Sequence, residues 1–342
     1  MNLSRYDRQM LFPPLGEEGQ RRRLASRALV CGCGALGSVI ASTLARAGVG
    51  HLRIVDRDFL ELNNLQRQVL YDERDVAERL PKSIAAAAKL RLVNSEIEIE
   101  PVVADLDAAS VLQLVADVDM IVDGTDNFET RYLLNDVALQ EGIPWVYGGC
   151  IGAEGQTMTI LPGETPCFRC LMPEPPPPGA TATCDTAGIL GPVVNVVASI
   201  EAAEVIKVLS GNRDAVSRTL TVIEIWDNRV RQIQLDSLQD NRDCPACTGR
   251  EFPWLDGQRG SRSAVLCGRN AVQLSFPGRP PVSLEALAAK LEGVGDVQRN
   301  RFLVRAAIGD HELTVFPDGR AIIGGTDDEV EARSLYAKYV GN

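Results

Sequence analysis

The stretch that most constrains this chain is Ala28–Asp58, ALVCGCGALGSVIASTLARAGVGHLRIVDRD. An apolar run, Ala28–Cys31, ends in Gly32-x-Gly34-x-x-Gly37, and an Ala-rich segment of helical composition follows. A second apolar run, Leu52–Val55, ends on Asp56, 19 residues past Gly37. Strand, glycine turn, helix, strand and acid in that order describe a nucleotide-binding βαβ unit. The glycines allow backbone N–H groups to approach phosphate oxygens, and the helix start adds about half a positive charge. Asp56, at the carboxyl end of the second strand, can accept hydrogen bonds from ribose hydroxyls. The pattern is commonest in NAD enzymes, and alone it leaves NAD and ATP both open.

The rest of the composition narrows that choice. A chain of 342 residues can hold one large domain and a small one. No apolar run approaches the roughly 20 residues that span a bilayer. The segment MNLSRYDRQMLFPPLG is charged and lacks an apolar signal core, so a cytoplasmic protein is expected. With a net charge of −11 and no basic block longer than Arg21–Arg23, a nucleic-acid partner is not expected. Only two histidines occur, His51 and His311, and both read as structural. A dehydrogenase usually needs a proton shuttle near its hydride site, most often His, so this scarcity weighs against NAD. Nine cysteines in a cytosolic chain of this size point to metal or thiol chemistry rather than disulfides.

Residues 1–24 read as an arm and a short helix, with Arg5-Tyr6-Asp7-Arg8 on a solvated surface. Beyond the second strand, the polar loop Leu62–Gln68 places Asn64, Arg67 and Gln68 beside the crevice where open α/β sheets bind ligands. An arginine there can neutralise phosphate oxygens with its planar fork. Pro81 suits a helix first turn, so Lys82 opens a helix over Ser83–Leu92 and offers a second cation, or is merely solvated. Strands at Ile97–Val103, Met120–Val122 and Trp145–Tyr147 alternate with helices at Ala108–Ala116 and Phe128–Glu141. This alternation predicts a doubly wound, mainly parallel, Rossmann-like sheet with ligands at the strand carboxyl ends. Asp126 sits at one such end, where a carboxylate can cap the next helix or hold Mg²⁺. Two acids and two cations converging on a glycine loop suit a nucleoside triphosphate better than a nicotinamide.

The alternation breaks at Gly148, and Gly152–Leu161 reads as an antiparallel hairpin arm with Pro162-Gly163 as its turn. Cys167-Phe168-Arg169-Cys170 and Cys244-Pro245-Ala246-Cys247 are paired Cys-x-x-Cys knuckles, the signature of a closed structural Zn(Cys)₄ site. The Pro-rich stretch 173–183 cannot pack a core and delivers Cys184 just before a helix at Val193–Leu209. A thiol so placed can reach a reactive acyl group, or can be an ordinary loop residue. Cys31, Cys33, Cys150 and Cys267 adjoin apolar strand positions and read as packing residues. Leu220–Asp227 and Val230–Leu235 form a hairpin around Asn228-Arg229. The organisation expected is therefore a domain over 1–250, a polar linker over 251–262, and a small α+β domain over 263–342.

Taken together, Arg5-Tyr6-Asp7-Arg8-Gln9, the Gly32–Gly37 turn, Asn64-Leu65-Gln66-Arg67-Gln68, Lys82, Thr125-Asp126-Asn127, the Cys knuckles and Cys184 before Ala187-Gly188 resemble the ThiF/MoeB/HesA adenylyltransferases, relatives of the ubiquitin-activating enzymes. Leu-Cys-Gly-Arg-Asn at 266–270 and Phe-Pro-Asp-Gly-Arg at 316–320 look most like the ThiF branch of Bacillus-like bacteria. The resemblance implies ATP·Mg²⁺-dependent adenylylation of the C-terminal Gly-Gly carboxylate of a ThiS-like sulfur carrier, feeding thiamine thiazole synthesis, with a sulfur donor such as a cysteine desulfurase. It further implies a homodimer in which Arg8 reaches the partner's ATP phosphates. Asp56 would bind ribose, Asn64, Arg67 and Lys82 the triphosphate, Asp126 the magnesium, and Cys184 an acyl link to the carrier, with Gln68 among the nucleotide-binding residues. The rival readings are MoeB-type activation of a MoaD-like carrier for molybdopterin synthesis or shared activation of several carriers, an NAD-binding oxidoreductase, and a zinc-stabilised binding scaffold.

Overall fold

The computed structural model describes residues 3–176, 187–239, 243–259, 263–266, 270–276 and 281–341. Cys184 and Cys267 lie outside the described residues. The chain forms two compact units, Met1–Arg259 and Gly260–Asn342. Among the described residues no helix is long and apolar enough to cross a membrane.

The first unit is built on eight strands: β1 (Arg27–Cys31), β2 (His51–Val55), β3 (Glu98–Val102), β4 (Met120–Asp123), β5 (Trp145–Ile151), β6 (Glu154–Ile160), β7 (Thr219–Glu224) and β8 (Arg229–Gln234). Their order across the sheet is β3-β2-β1-β4-β5-β6-β7-β8. The first five are parallel, and β6, β7 and β8 extend the sheet antiparallel. The apolar runs are continuous because both faces of the sheet are covered. Ala28 and Val30 of β1 belong to one apolar core with the helices Ala35–Ala47, Lys82–Val93 and Gly191–Leu209. Leu29 and Cys31 belong to a second core, with the helix Phe128–Glu141 and the cysteine knuckles.

Several local expectations are corrected. The β5–β6 hairpin turns at Gly152-Ala153, not at Pro162-Gly163, because β5 continues past Gly148 to pair Ile151 with Glu154. Gly152 takes the left-handed conformation (φ 58°) that this turn requires. The helix expected over Ala108–Ala116 covers only Val111–Val115, since the Asp107 carboxylate takes the N–H groups of Ala109 and Ser110. Within the stretch expected to be a polar linker, Phe252, Trp254 and Leu255 are buried, and Trp254 stacks on Tyr132 with ring centroids 4.4 Å apart.

The second unit is a six-stranded antiparallel sheet of order β11-β12-β13-β14-β10-β9. Its strands are β9 (Ser263–Leu266), β10 (Ala271–Leu274), β11 (Asp296–Arg299), β12 (Val304–Ile308), β13 (His311–Val315) and β14 (Ala321–Gly324), with helices Leu284–Leu291 and Glu329–Tyr339. Strand β11 is a mostly exposed edge, Asp-Val-Gln-Arg, without the apolar alternation that marks a strand in sequence.

Candidate nucleotide-binding site

The glycine turn lies at the carboxyl end of β1, and its geometry explains its residues. Gly32 has φ 79°, and a Cβ there would lie 2.9 Å from the Gly124 carbonyl oxygen. A Cβ on Gly37 would sit 1.9 Å from the Gly32 carbonyl oxygen, so only glycine lets the helix start press onto the turn. That helix, Ala35–Ala47, has no side-chain cap, and neither has Lys82–Val93. Both helix starts therefore present N–H groups suited to an anion.

A network of acids and cations joins the two helix starts. Asp56 is buried; its Oδ2 accepts the Cys33 N–H at 2.7 Å and its Oδ1 the Asp58 N–H at 2.7 Å. Burial pushes the Asp56 carboxyl above its ordinary range, while Lys82 and the two N–H donors pull it back. Each oxygen keeps a second lone pair, so the same carboxylate can brace the turn and accept from a ribose. Lys82 is buried, and its Nζ lies 3.0 Å from Asp58 Oδ2. Tyr71 closes the wall, its hydroxyl donating to the Cys33 carbonyl at 2.6 Å. Arg57 bonds both oxygens of Asp105, at 3.0 and 2.9 Å, and feels the charges of Asp58 and Asp126. Burial pushes the Cys33 thiol up to about 12, which removes it as a nucleophile.

The other sequence-predicted residues divide. Gln68 is buried next to Gly34, and its Oε1 has no partner among the described residues. Asn64 is buried and shapes the loop, its Oδ1 accepting from the Glu61 N–H at 3.1 Å and its Nδ2 donating to Asn63 Oδ1 at 2.9 Å. Arg67 is half-buried beside Gly191, at the start of the helix Gly191–Leu209, and donates to the Asn63 carbonyl at 3.1 Å. Asp126 is exposed and does not cap the next helix, because Asn127 does so by accepting the Thr130 N–H at 2.8 Å. Arg8 is not brought to the site. Its neighbour Gln9 donates to the Ala47 carbonyl at 2.9 Å, at the far end of the 13-residue helix that starts at the glycine turn. Thirteen residues of helix span about 20 Å, so Arg8 cannot serve the crevice of its own chain. His51 is structural as expected, held between Arg27 Nη1 at 3.1 Å and Glu100 Oε2 at 3.0 Å.

Sequence reading missed a buried cluster just below Asp126. Arg131 bonds Asp123 Oδ2 (3.2 Å), the Thr125 carbonyl (2.8 Å) and the Gly148 carbonyl (3.1 Å), fixing the loop that carries Asp126. Glu201 faces the same cluster, fully buried, with neither carboxylate oxygen partnered among the described residues. A Cβ on Gly148 would fall 1.3 Å from Glu201 Oε1, so this glycine makes room for the acid. Burial, then the Asp123 charge, raises the Glu201 pKa well above the carboxylate range; Arg131 opposes this. Folding therefore keeps Glu201 protonated. Below the unfolded-state pKa this costs nothing, but stability is lost as pH rises and the unfolded chain gains by ionising. Glu201→Gln is expected to remove that loss, so that the variant gains stability relative to the parent as pH rises from 5 to 8. Urea melts of both proteins at the two pH values measure it; parallel pH dependence would contradict the neutral acid.

The four knuckle thiols meet in the second core. Cys167 Sγ lies 3.8 Å from Cys170 Sγ and 3.7 Å from Cys244 Sγ, while Cys170 and Cys247 are 3.4 Å apart. All four lie within 4.8 Å of one another. Zn–S bonds of about 2.3 Å in a tetrahedron separate sulfurs by about 3.8 Å, so this donor set fits a closed zinc site.

Comparison with known proteins follows the same outline. Residues 6–246 match the profile of the ThiF family. The chain is 43% identical over 338 residues to the sulfur carrier protein ThiS adenylyltransferase of Bacillus subtilis, spanning 98% of this chain and 99% of that protein. It is 42% identical over 245 residues to the SAMP-activating enzyme E1 of Haloferax volcanii, spanning 72% of this chain and 88% of that protein. Among solved structures, E. coli MccB with ATP superposes with a TM-score of 0.59 at 24% identity, over 68% of this chain and 72% of that one. That likeness concerns the fold alone.

Proposed function

The chain belongs to the ThiF family, and from that premise we propose that it adenylylates the C-terminal Gly-Gly carboxylate of a ThiS-like, ubiquitin-like sulfur carrier with ATP. The observation that carries this reading is the 43% identity to a ThiS adenylyltransferase along nearly the whole of both chains. The crevice supports it chemically. The attacking carboxylate is already ionised at pH 7, so no general base is required, which agrees with a site that lacks histidine. The carrier oxygen bonds to the α-phosphorus as the α–β bridging bond breaks and pyrophosphate leaves. Rate then depends on in-line positioning and on neutralising phosphate charge.

In this reading the glycine turn and its helix start hold phosphate oxygens, Asp56 the ribose, and Lys82 and Arg67 the triphosphate. Asp126, which does not cap the next helix, would hold Mg²⁺, which would offset charge on the departing pyrophosphate. Arg8 would have to come from a second copy of the chain, because its own crevice lies a helix length away. The zinc knuckles are structural, and Cys184 is the residue that would take the carrier as an acyl adduct before sulfur is delivered.

Mass spectrometry of the enzyme with ATP, Mg²⁺ and either a ThiS-like or a MoaD-like carrier tests the reading. The expected product is AMP–carrier with the ThiS-like protein. Cys184→Ser should still form it and should lose only the covalent enzyme–carrier adduct. Absence of AMP–carrier with any Gly-Gly-ending protein would overturn the reading.

A further inference from the structure

We propose that Asp58 is a positioning residue that fixes Lys82 as a phosphate cation; the argument rests on the reading of the crevice given above. A lysine side chain has four rotatable bonds and needs a fixed direction to act as a binding point. Asp58 supplies it from two sides. Its Oδ2 accepts from Lys82 Nζ at 3.0 Å, and its carbonyl accepts the Lys82 backbone N–H at 2.9 Å. An isolated antiparallel bridge between Phe59 and Pro81 ties the residues immediately beside this pair.

Asp58 is itself held, because its N–H donates to Asp56 Oδ1, whose other oxygen accepts the Cys33 N–H inside the glycine turn. One hydrogen-bonded chain therefore runs from the glycine turn through Asp56 and Asp58 to Lys82. It makes the ribose acid and the phosphate cation parts of a single rigid unit. The pair is not an ordinary surface ion pair: the Lys82 side chain is 6% exposed and that of Asp58 25%. The contact to Asp58 Oδ2 gives the ammonium a fixed direction that a solvated lysine lacks. Arg57, whose Nε lies 3.9 Å from Asp58 Oδ1, adds a second positive charge that limits the repulsion between this carboxylate and a phosphate.

The test is ATP affinity by calorimetry, with adenosine as the control ligand. Asp58→Asn should weaken ATP binding about 10-fold, the loss of a charge-assisted hydrogen bond, and leave adenosine affinity unchanged. Asp58→Glu should recover part of the loss. In a Lys82→Ala background, Asp58→Asn should cause no further weakening, since the effect passes through Lys82. Unchanged ATP affinity in Asp58→Asn, multiplying losses in the double variant, or a parallel fall in adenosine affinity would each overturn the proposal. A wild-type protein that binds ATP but transfers AMP to no carrier would defeat the functional reading and leave this binding test standing.

Discussion

Arg67→Ala lowers carrier-dependent ATP–pyrophosphate exchange by about 100- to 1000-fold and leaves the melting temperature unchanged, and Lys82→Ala lowers it comparably. The reasoning is electrostatic. Pyrophosphate can depart only if charge building on its oxygens is met by fixed cations, and each such group typically supplies a few kcal/mol of transition-state stabilisation. The two residues differ in what their removal does to the fold. Arg67 is only half-buried and makes one hydrogen bond to the Asn63 carbonyl of its own loop, with no charged partner among the described residues, so its loss leaves no buried charge stranded. Lys82 is buried against Asp58, and its removal leaves a half-buried carboxylate with Arg57 nearby. Lys82→Ala should therefore also melt somewhat lower, by about 1–3 kcal/mol. Isotope exchange between labelled pyrophosphate and ATP, with calorimetric melting alongside, separates the two effects. Wild-type exchange in either variant would mean that the triphosphate lies elsewhere.

The parts of this site that can be read in sequence are those governed by backbone chemistry. A glycine that must turn left-handed (Gly32) and one that must let a helix touch a turn (Gly37) admit no substitute, so they stand out as a pattern. The Cys-x-x-Cys pairs stand out for the same reason, because tetrahedral ligation fixes both residue type and spacing. Parallel alternation is legible because strands buried on both faces are apolar throughout. What escapes is the polar network whose members lie far apart in the chain. Arg131, Glu201 and Gly148 come from two helices and a strand, and no local pattern says that they meet. Asp58 lies two residues past the recognised Asp56, yet its ion-pair partner is Lys82, 24 residues further along the chain. Trp254 was hidden by its polar surroundings, Arg250–Arg262, although a tryptophan in such a stretch is itself a sign of a docking point.

That docking point leads to the largest stability effect expected. Stripping the metal with a chelator, or replacing Cys167 by serine, should unfold the first unit or reduce its stability by on the order of 10 kcal/mol. Exchange activity should be lost with it. Four thiols at van der Waals distance in a buried setting are weak partners for one another when protonated and repel as thiolates, so only a cation makes the cluster favourable. The cluster in turn holds the helix Phe128–Glu141. Asn135 Oδ1 accepts the Phe168 N–H at 2.9 Å, the Tyr132 hydroxyl donates to the Met172 carbonyl at 2.9 Å, and Asp136 Oδ2 accepts the Trp254 N–H at 3.1 Å. Arg250 Nη1 adds a bond to the Leu139 carbonyl at 2.7 Å. The first turns of that helix carry Asn127 and Arg131, which shape the loop presenting Asp126. Releasing one end of the helix should therefore disturb the crevice before global unfolding is complete. Near-UV circular dichroism, metal content and pyrophosphate exchange, followed together during chelator titration, resolve that order. Retention of full exchange and unchanged melting in metal-free protein would refute the structural role assigned to the knuckles.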